Sequence, residues 1–348
     1  MMSTFLTKNL TILLFLCIPI FAYADDQSVR LWNTKYKNDA VCSYKYGRPW
    51  APISPKNYET EIRGYKWPHA EGSAQQYVDF MQRDLNVAAV NASADQRIKQ
   101  RLLKASGANS FSKLNFEQPG GPSPSFASAL VALTSSFALD YLLEKGALNQ
   151  NEFKIVTSWI KKLLRNSTQK SFSEDHRMQI LTARLAFAVA INDTSGFRKQ
   201  VSELEKKIKK LNQPYFVPDV RNNNEIIQHV VIASHIAEQN GAMVFHTRFG
   251  RYSLAEIIAA HAVTMRSIKD KKIKTASVEG EIARSIFRPQ GNGAHLAWIP
   301  VFMAYSRHTS QGKDVEALHR DLRRTSGNPY WGLAMGIHSG CMFGSAAR

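Results

Sequence analysis

The sequence predicts an all-α protein whose helices, each roughly 12–20 residues long, pack in layers. Two observations carry that prediction. From about residue 73 onward, apolar residues recur at spacings of three and four, the period of a helix face. Strand signals, with their period of two, are few.

The elements follow in order. Residues 125–146 read as a helix, with Leu130, Leu133, Phe137, Tyr141 and Leu142 on its apolar side and Gly146 as its stop. Residues 152–165 form a second, carrying Phe153, Val156, Trp159, Ile160 and Leu163. A third spans 180–191. Asp193 caps a fourth that runs toward Leu211, and 225–239, 253–268 and 294–305 complete the series. The segment "QPGGPSPS" (118–125) is a loop inside one domain, since helices flank it. Residues 25–72 have no sustained period and are rich in Trp, Tyr and Pro, as an irregular arm would be. The periodicity leaves open whether the hairpins close into a ring or stack as a solenoid.

The first 24 residues read as a secretory signal peptide. Lys8 is the only charge before Asp25, an apolar run covers 10–21, and Ala22-Tyr23-Ala24 supplies a cleavage site. The run is short for a membrane span, which takes about 20 residues. No later stretch is expected to insert stably in a membrane either. Export implies a periplasmic protein whose mature chain starts near Asp25. Two cysteines then remain, Cys42 and Cys341. In an oxidising compartment they are expected to pair and tie the chain ends together, the alternative being two separate thiols.

Charge narrows the partner. The full chain carries +17, and loss of Lys8 leaves +16. Such a surplus on an exported protein points to a polyanion. Nucleic acid is disfavoured by the compartment and by the lack of zinc-finger spacing or an RNA-binding aromatic motif, which leaves anionic lipid and acidic glycan. Familiar catalytic motifs are absent: no His-Glu-x-x-His, no phosphate-binding glycine loop, no Gly-x-Ser-x-Gly. His229 and His235 are six apart, on different faces of a helix, and make no shared metal site.

Two segments stand out. In each, a polar cluster opens an apolar helix: Asp175 and His176 in one, Arg221, Asn222, Asn223 and Asn224 in the other. Helix capping accounts for Asp175 and one asparagine. It does not account for His176 or Arg221, because a cation at a helix start opposes the helix dipole.

At these segments the chain resembles the poly-mannuronate type of alginate lyase and the wider group of helical uronate-polysaccharide lyases. "EDHRMQILTARLAFAVAINDTSGF" (174–197) stands where that family has Asn-Asn-His, an alanine-rich run and an Asn-Asp…Phe ending. "YFVPDVRNNNEIIQHVV" (215–231) is similar to its Phe-Leu-Pro turn, arginine and Tyr-His pair. "ALVALTSSFALDYLLEKGAL", "FGRYSLAEIIAAHAV" and "AHLAWIPVFMAYSRH" resemble its other helices in the same order. The likeness covers about residues 75–310.

The resemblance implies an incomplete α/α toroid over residues 73–348, with 25–72 as an irregular arm; its stretch 57–72 resembles a lid in which Tyr65 and Trp67 stack on sugar rings, the alternative being a strand-like arm packed on the outer wall. It implies no redox cofactor and no metal. His176 matches the catalytic histidine, Arg221 the arginine that holds the substrate carboxylate, and His229 the histidine after the catalytic tyrosine. Asp175 replaces a substrate-binding asparagine, and Asn222 lies beside Arg221. Gln228 occupies the place of the tyrosine itself, so the acid falls to His229 or to a tyrosine such as Tyr215.

The chemistry explains these residue types. β-Elimination takes the C5 proton of a uronate and expels O4. An arginine neutralises the carboxylate through paired hydrogen bonds, and a histidine near its ordinary pKa takes the proton. Three readings result: a periplasmic lyase acting on an acidic uronate polymer such as alginate; a non-catalytic binder of the same polymer; and a structural scaffold whose charge is incidental.

Overall fold

The computed structural model describes residues 74–88, 92–112, 124–167, 174–211, 220–270 and 296–325. The signal segment, the arm with Tyr65 and Trp67, Tyr215, and both Cys42 and Cys341 lie outside them. Among the described residues ten helices run in this order: α1 (Ala74–Val87), α2 (Ala92–Gly107), α3 (Pro124–Glu144), α4 (Gln150–Asn166), α5 (Glu174–Ala190), α6 (Thr194–Lys210), α7 (Val220–Gln239), α8 (Leu254–Lys269), α9 (Trp298–Ser306) and α10 (Ser310–Thr325). Among the described residues the one β feature is an isolated bridge between Arg248 and Ser253.

Composition sorts these helices into two layers. Odd-numbered helices pack on one another in the chain α1–α3–α5–α7–α9, while even-numbered ones lie outside and return the chain to the next inner helix. Every residue from 126 to 142 of α3 is buried. That helix is apolar on all sides because α1, α2, α4 and α5 surround it. By length and mean hydropathy (1.6) the segment Phe126–Glu144 is apolar enough to cross a membrane, contrary to the expectation from sequence, but 94% of the window is buried inside the protein. Its apolarity is that of a core helix.

Among the outer helices, α4 and α6 are amphipathic, and α4, α6 and α8 carry side-chain caps at their N-termini. In α4 the buried side is Val156, Trp159, Ile160, Leu163 and Leu164. The Asn149 side chain accepts from the Glu152 N–H, and Glu152 accepts from the Asn149 N–H in return. Asp193 caps α6 by accepting from the Gly196 N–H, and Ser253 with Glu256 forms the same reciprocal box on α8. Gly146 and Gly241 end α3 and α7 at φ +60° and +85°, a conformation that costs a glycine nothing. Trp159 Nε1–H donates to the Ser110 carbonyl at 2.7 Å and anchors α4 to the end of α2.

Several boundaries differ from the sequence expectation. α5 and α7 begin at Glu174 and Val220, earlier than 180 and 225, so the polar clusters form the first turns of the helices. Glu174 and Asp175 are favourable there because they face the positive end of the helix dipole. α9 begins at Trp298, which puts Pro300 in the first turn, where its missing N–H is harmless. α10 went unrecognised. Its apolar stripe of Val315, Leu318 and Leu322 is narrow, and Asp321 on the same helix pairs with Arg266 and Lys269 of α8 at 3.0 and 3.2 Å.

This layering sets an order of costs. Leu133→Ala, in the all-buried stretch of α3, is expected to lower unfolding free energy by about 3 kcal/mol. Asn149→Ala, at an exposed cap, should cost about 1 kcal/mol. Urea midpoints measure both, and equal losses would contradict the inner-layer packing described.

Candidate active site

The starts of α5 and α7 lie at the same end of the inner layer. Lys207, near the end of α6, pairs with Glu174 at the start of α5, so α6 returns the chain to that end before α7 begins. Thr182 of α5 donates its hydroxyl to the main-chain carbonyl of His229 of α7 at 3.1 Å, which holds the middles of the two helices together. Asp175 and His176 therefore share one end of the ring with Arg221 and Asn222, whose backbone forms the first turn of α7; the side chains of those two lie outside the described set.

Asp175 is buried, with 7% of its side chain exposed, whereas His176 next to it keeps 21%. The closest approach of His176 Nε2 to Asp175 Oδ2 is 3.8 Å, an electrostatic contact too long for a hydrogen bond. Phe126 of α3 lies against the imidazole with ring centroids 4.7 Å apart. Partial burial lowers the His176 pKa below its ordinary value, and the Asp175 carboxylate opposes part of that shift. His176 is thus neutral at neutral pH and open to solvent on one side, the state in which an imidazole accepts a proton.

His229 occupies the layer beneath. Its ring stands edge-on to Phe126 at 6.5 Å and is fully buried. Burial pushes its pKa down to about 3; Asp175 raises it slightly and His176 lowers it, so all three residues share one electrostatic neighbourhood. The structure brings His176, Asp175 and His229 together, as the sequence led one to expect. It seals His229 from solvent, however, and keeps it uncharged, so His229 is no cationic acid. Gln228, in the expected tyrosine position, is also buried. Gln179, one turn below Asp175 on α5, is buried beside them, and neither of its amide atoms has a hydrogen-bond partner among the described residues.

The asparagines of α7 divide. Asn224 is no cap: its Oδ1 accepts from His261 Nε2–H at 3.0 Å and Trp298 Nε1–H at 3.3 Å, and its amide donates to Met265 Sδ at 3.6 Å. It ties α7 to α8 and α9 behind the site. His235 performs a similar task lower down, where its Nδ1 meets Tyr305 Oη at 2.6 Å. Sequence reasoning missed Phe126 and Gln179. Phe126 was detectable only as an aromatic at the start of the most apolar helix, and Gln179 as a lone amide within an apolar run. In front, Lys207 of α6 pairs with Glu174 at 2.6 Å and fixes the start of α5.

Parallel inner helices, antiparallel outer returns and a polar cluster where two inner helices begin define an α/α toroid of the alginate lyase-like kind. Solved structures of alginate lyase A1-III are among those it matches. The enzyme from Sphingomonas species A1 superimposes with a TM-score of 0.59 at 14% identity, over 78% of this chain and 76% of that one. A tyrosine-to-phenylalanine variant of that lyase with bound tetrasaccharide gives 0.57 at 14% over 78% and 75%. A histidine-to-alanine variant, also with tetrasaccharide, gives 0.55 at 13% over the same shares. No protein-family profile matches the sequence, and no curated protein matches it. At such identities the likeness is one of fold.

The buried imidazoles predict a pH dependence of stability. His229 and His235 have pKa values of about 3 and His261 about 4, all lowered by burial. In the unfolded chain they titrate near 6.5. Below that pH the unfolded state binds protons that the folded state excludes, so stability is full above about pH 7 and falls as pH drops toward 4. The urea midpoint is expected to be lower at pH 5 than at pH 8; an unchanged midpoint would mean the three rings are not buried and neutral.

Proposed function

We propose that this protein is a polysaccharide lyase that cuts an acidic uronate polymer, alginate-like in chemistry, by β-elimination in the periplasm after removal of residues 1–24. The observation that carries the reading is His176: a neutral, partly exposed imidazole at the start of an inner helix, at the end of the layer where the turn bearing Arg221 begins α7. In this reading Arg221 grips the substrate carboxylate and, with Asn222, offsets the charge that develops as the C5 proton leaves. His176 takes that proton. Asp175 orients the imidazole through its charge. The net charge of +16 that remains once Lys8 is removed draws the polyanion in.

The departing O4 needs a proton. His229 is too deeply buried to supply it and Gln228, a carboxamide, is no acid, so we assign that step to Tyr215, in the segment leading to α7. Buried His229 then positions His176. Pairing of Cys42 with Cys341 belongs to the same exported reading.

A second reading has a specific observation behind it. A glutamine stands in register where the resembling family has its catalytic tyrosine, and it is buried. A protein of this fold that binds uronate polymers without cutting them would tolerate that exchange.

The discriminating measurement is the far-ultraviolet absorbance of the unsaturated sugar end, followed after mixing with alginate, other polyuronates and hyaluronan. Product is expected with at least one. His176→Ala should lower kcat/KM by about 10²–10⁴-fold with the thermal midpoint unchanged, and Arg221→Lys by about 10²-fold, because a point charge does not reproduce a bidentate grip. Full activity in His176→Ala would dismiss the site. Tight binding with no product from any polymer would leave the binding protein as the correct reading.

A further inference from the structure

Between residues 178 and 190 of α5, Arg184 alone is not fully buried. It lies two turns beyond His176, about 12 Å further along the helix axis. Among the described residues its guanidinium has no ion pair and no hydrogen bond, and burial disfavours its charge with no neighbouring carboxylate to compensate. Other arginines of similar exposure are paired: Arg83 with Asp79, Arg101 with Asp84, Arg266 with Asp321.

Arg184 opens into a groove of about 520 Å³ between α4 and α5. Ser158, Lys161 and Arg165 line one wall. They are spaced three and four apart, so they form a single stripe along α4. Leu164 and Phe187 form the apolar part of the lining, and none of the described lining residues is acidic. A guanidinium partly withdrawn from water is costly until an anion meets it. The combination of cations, a hydroxyl and an aromatic side chain matches a sugar ring, with one apolar face and a carboxylate at its rim.

We propose that this groove is a second binding site for acidic glycan on the wall of the toroid, where Arg184 and Lys161 hold a uronate carboxylate and the ring lies over Phe187 and Leu164. The inference rests on the reading of the protein as one that handles acidic polysaccharide. A long chain engaged at the groove raises its own local concentration at the His176 site, an effect no short oligomer shares.

Calorimetric titration with a mannuronate oligosaccharide at low salt tests it, on the full chain and on Arg184→Gln and Lys161→Gln. Lys161 is exposed, so its variant keeps the test available if Arg184→Gln fails to fold. Two sites per chain are expected in the unaltered protein, with the second weakened at least ten-fold in each variant. Turnover of short oligomers should stay unchanged while KM for long polymer rises. A neutral oligosaccharide of equal length should leave the groove empty. A single site indifferent to both substitutions overturns the second site and leaves the proposed function standing. Binding of inorganic sulfate at the groove without oligouronate overturns the glycan assignment. Absence of any oligouronate binding or turnover overturns the proposed function as well.

Discussion

The burial of α3 governs the rest of this molecule. Its residues 126–142 have no solvent-facing side, so the helix is stable only when wrapped by α1, α2, α4 and α5. Hydrophobic stabilisation grows with the apolar area removed from water, and a helix buried on every face removes most. Once α3 is central, α5 and α7 must follow it as inner neighbours, and the chain returns through outer helices. The ring thus follows from one helix with no solvent-facing side: α3 needs neighbours on every face, and amphipathic outer helices such as α4 and α6 cover the inner layer.

That constraint dictates the chemistry available inside. Polar side chains on inner helices sit in a low-dielectric surrounding where a charge is expensive. His229 and His235 respond by staying neutral, as does His261, buried on α8 behind them. Asn224 responds by meeting donors from two other helices. Charge is tolerated where inner helices begin, because free N–H groups and solvent are both at hand. Glu174, Asp175 and His176 therefore gather at the first turn of α5. The polar site lies at this end of the layer for the same reason that the middle of the layer is dry.

Much of this was legible beforehand. The helical period, the Asp193 cap and the Gly146 stop each appear in the structure where the sequence placed them. The pairing of Asp175 with His176 at the head of an apolar run also marked one side of the site. The first residues of α5 and α7 were less legible, because the apolar period sets in only near 180 and 225, after the polar clusters that make up their first turns. Phe126 and Gln179 were illegible for another reason. Their relation to His176 depends on which face of α3 and α5 meets which neighbour, and a local period does not encode that. α10 was overlooked because Asp321, an ion-pair partner of Arg266 and Lys269, interrupts what would otherwise be a plain apolar stripe.

The positive surplus is also informative by where it is left uncompensated. A basic protein can neutralise its inward-leaning cations with its own carboxylates, and this one does so for Arg83, Arg101 and Arg266. Lys207 spends its charge on Glu174, where it steadies the start of α5. Such pairs consume positive charge and contribute little attraction for an outside partner. Arg184 breaks the pattern on the same helix that carries His176, and it does so beside Lys161 and Arg165. Unpaired charge held by a rigid inner helix is worth more to a ligand than the same charge on a mobile surface chain, because less freedom is lost on binding. On the proposed reading, one helix therefore presents a reacting imidazole at its start and an anchoring guanidinium two turns on, and its packing against α3 fixes the spacing between them.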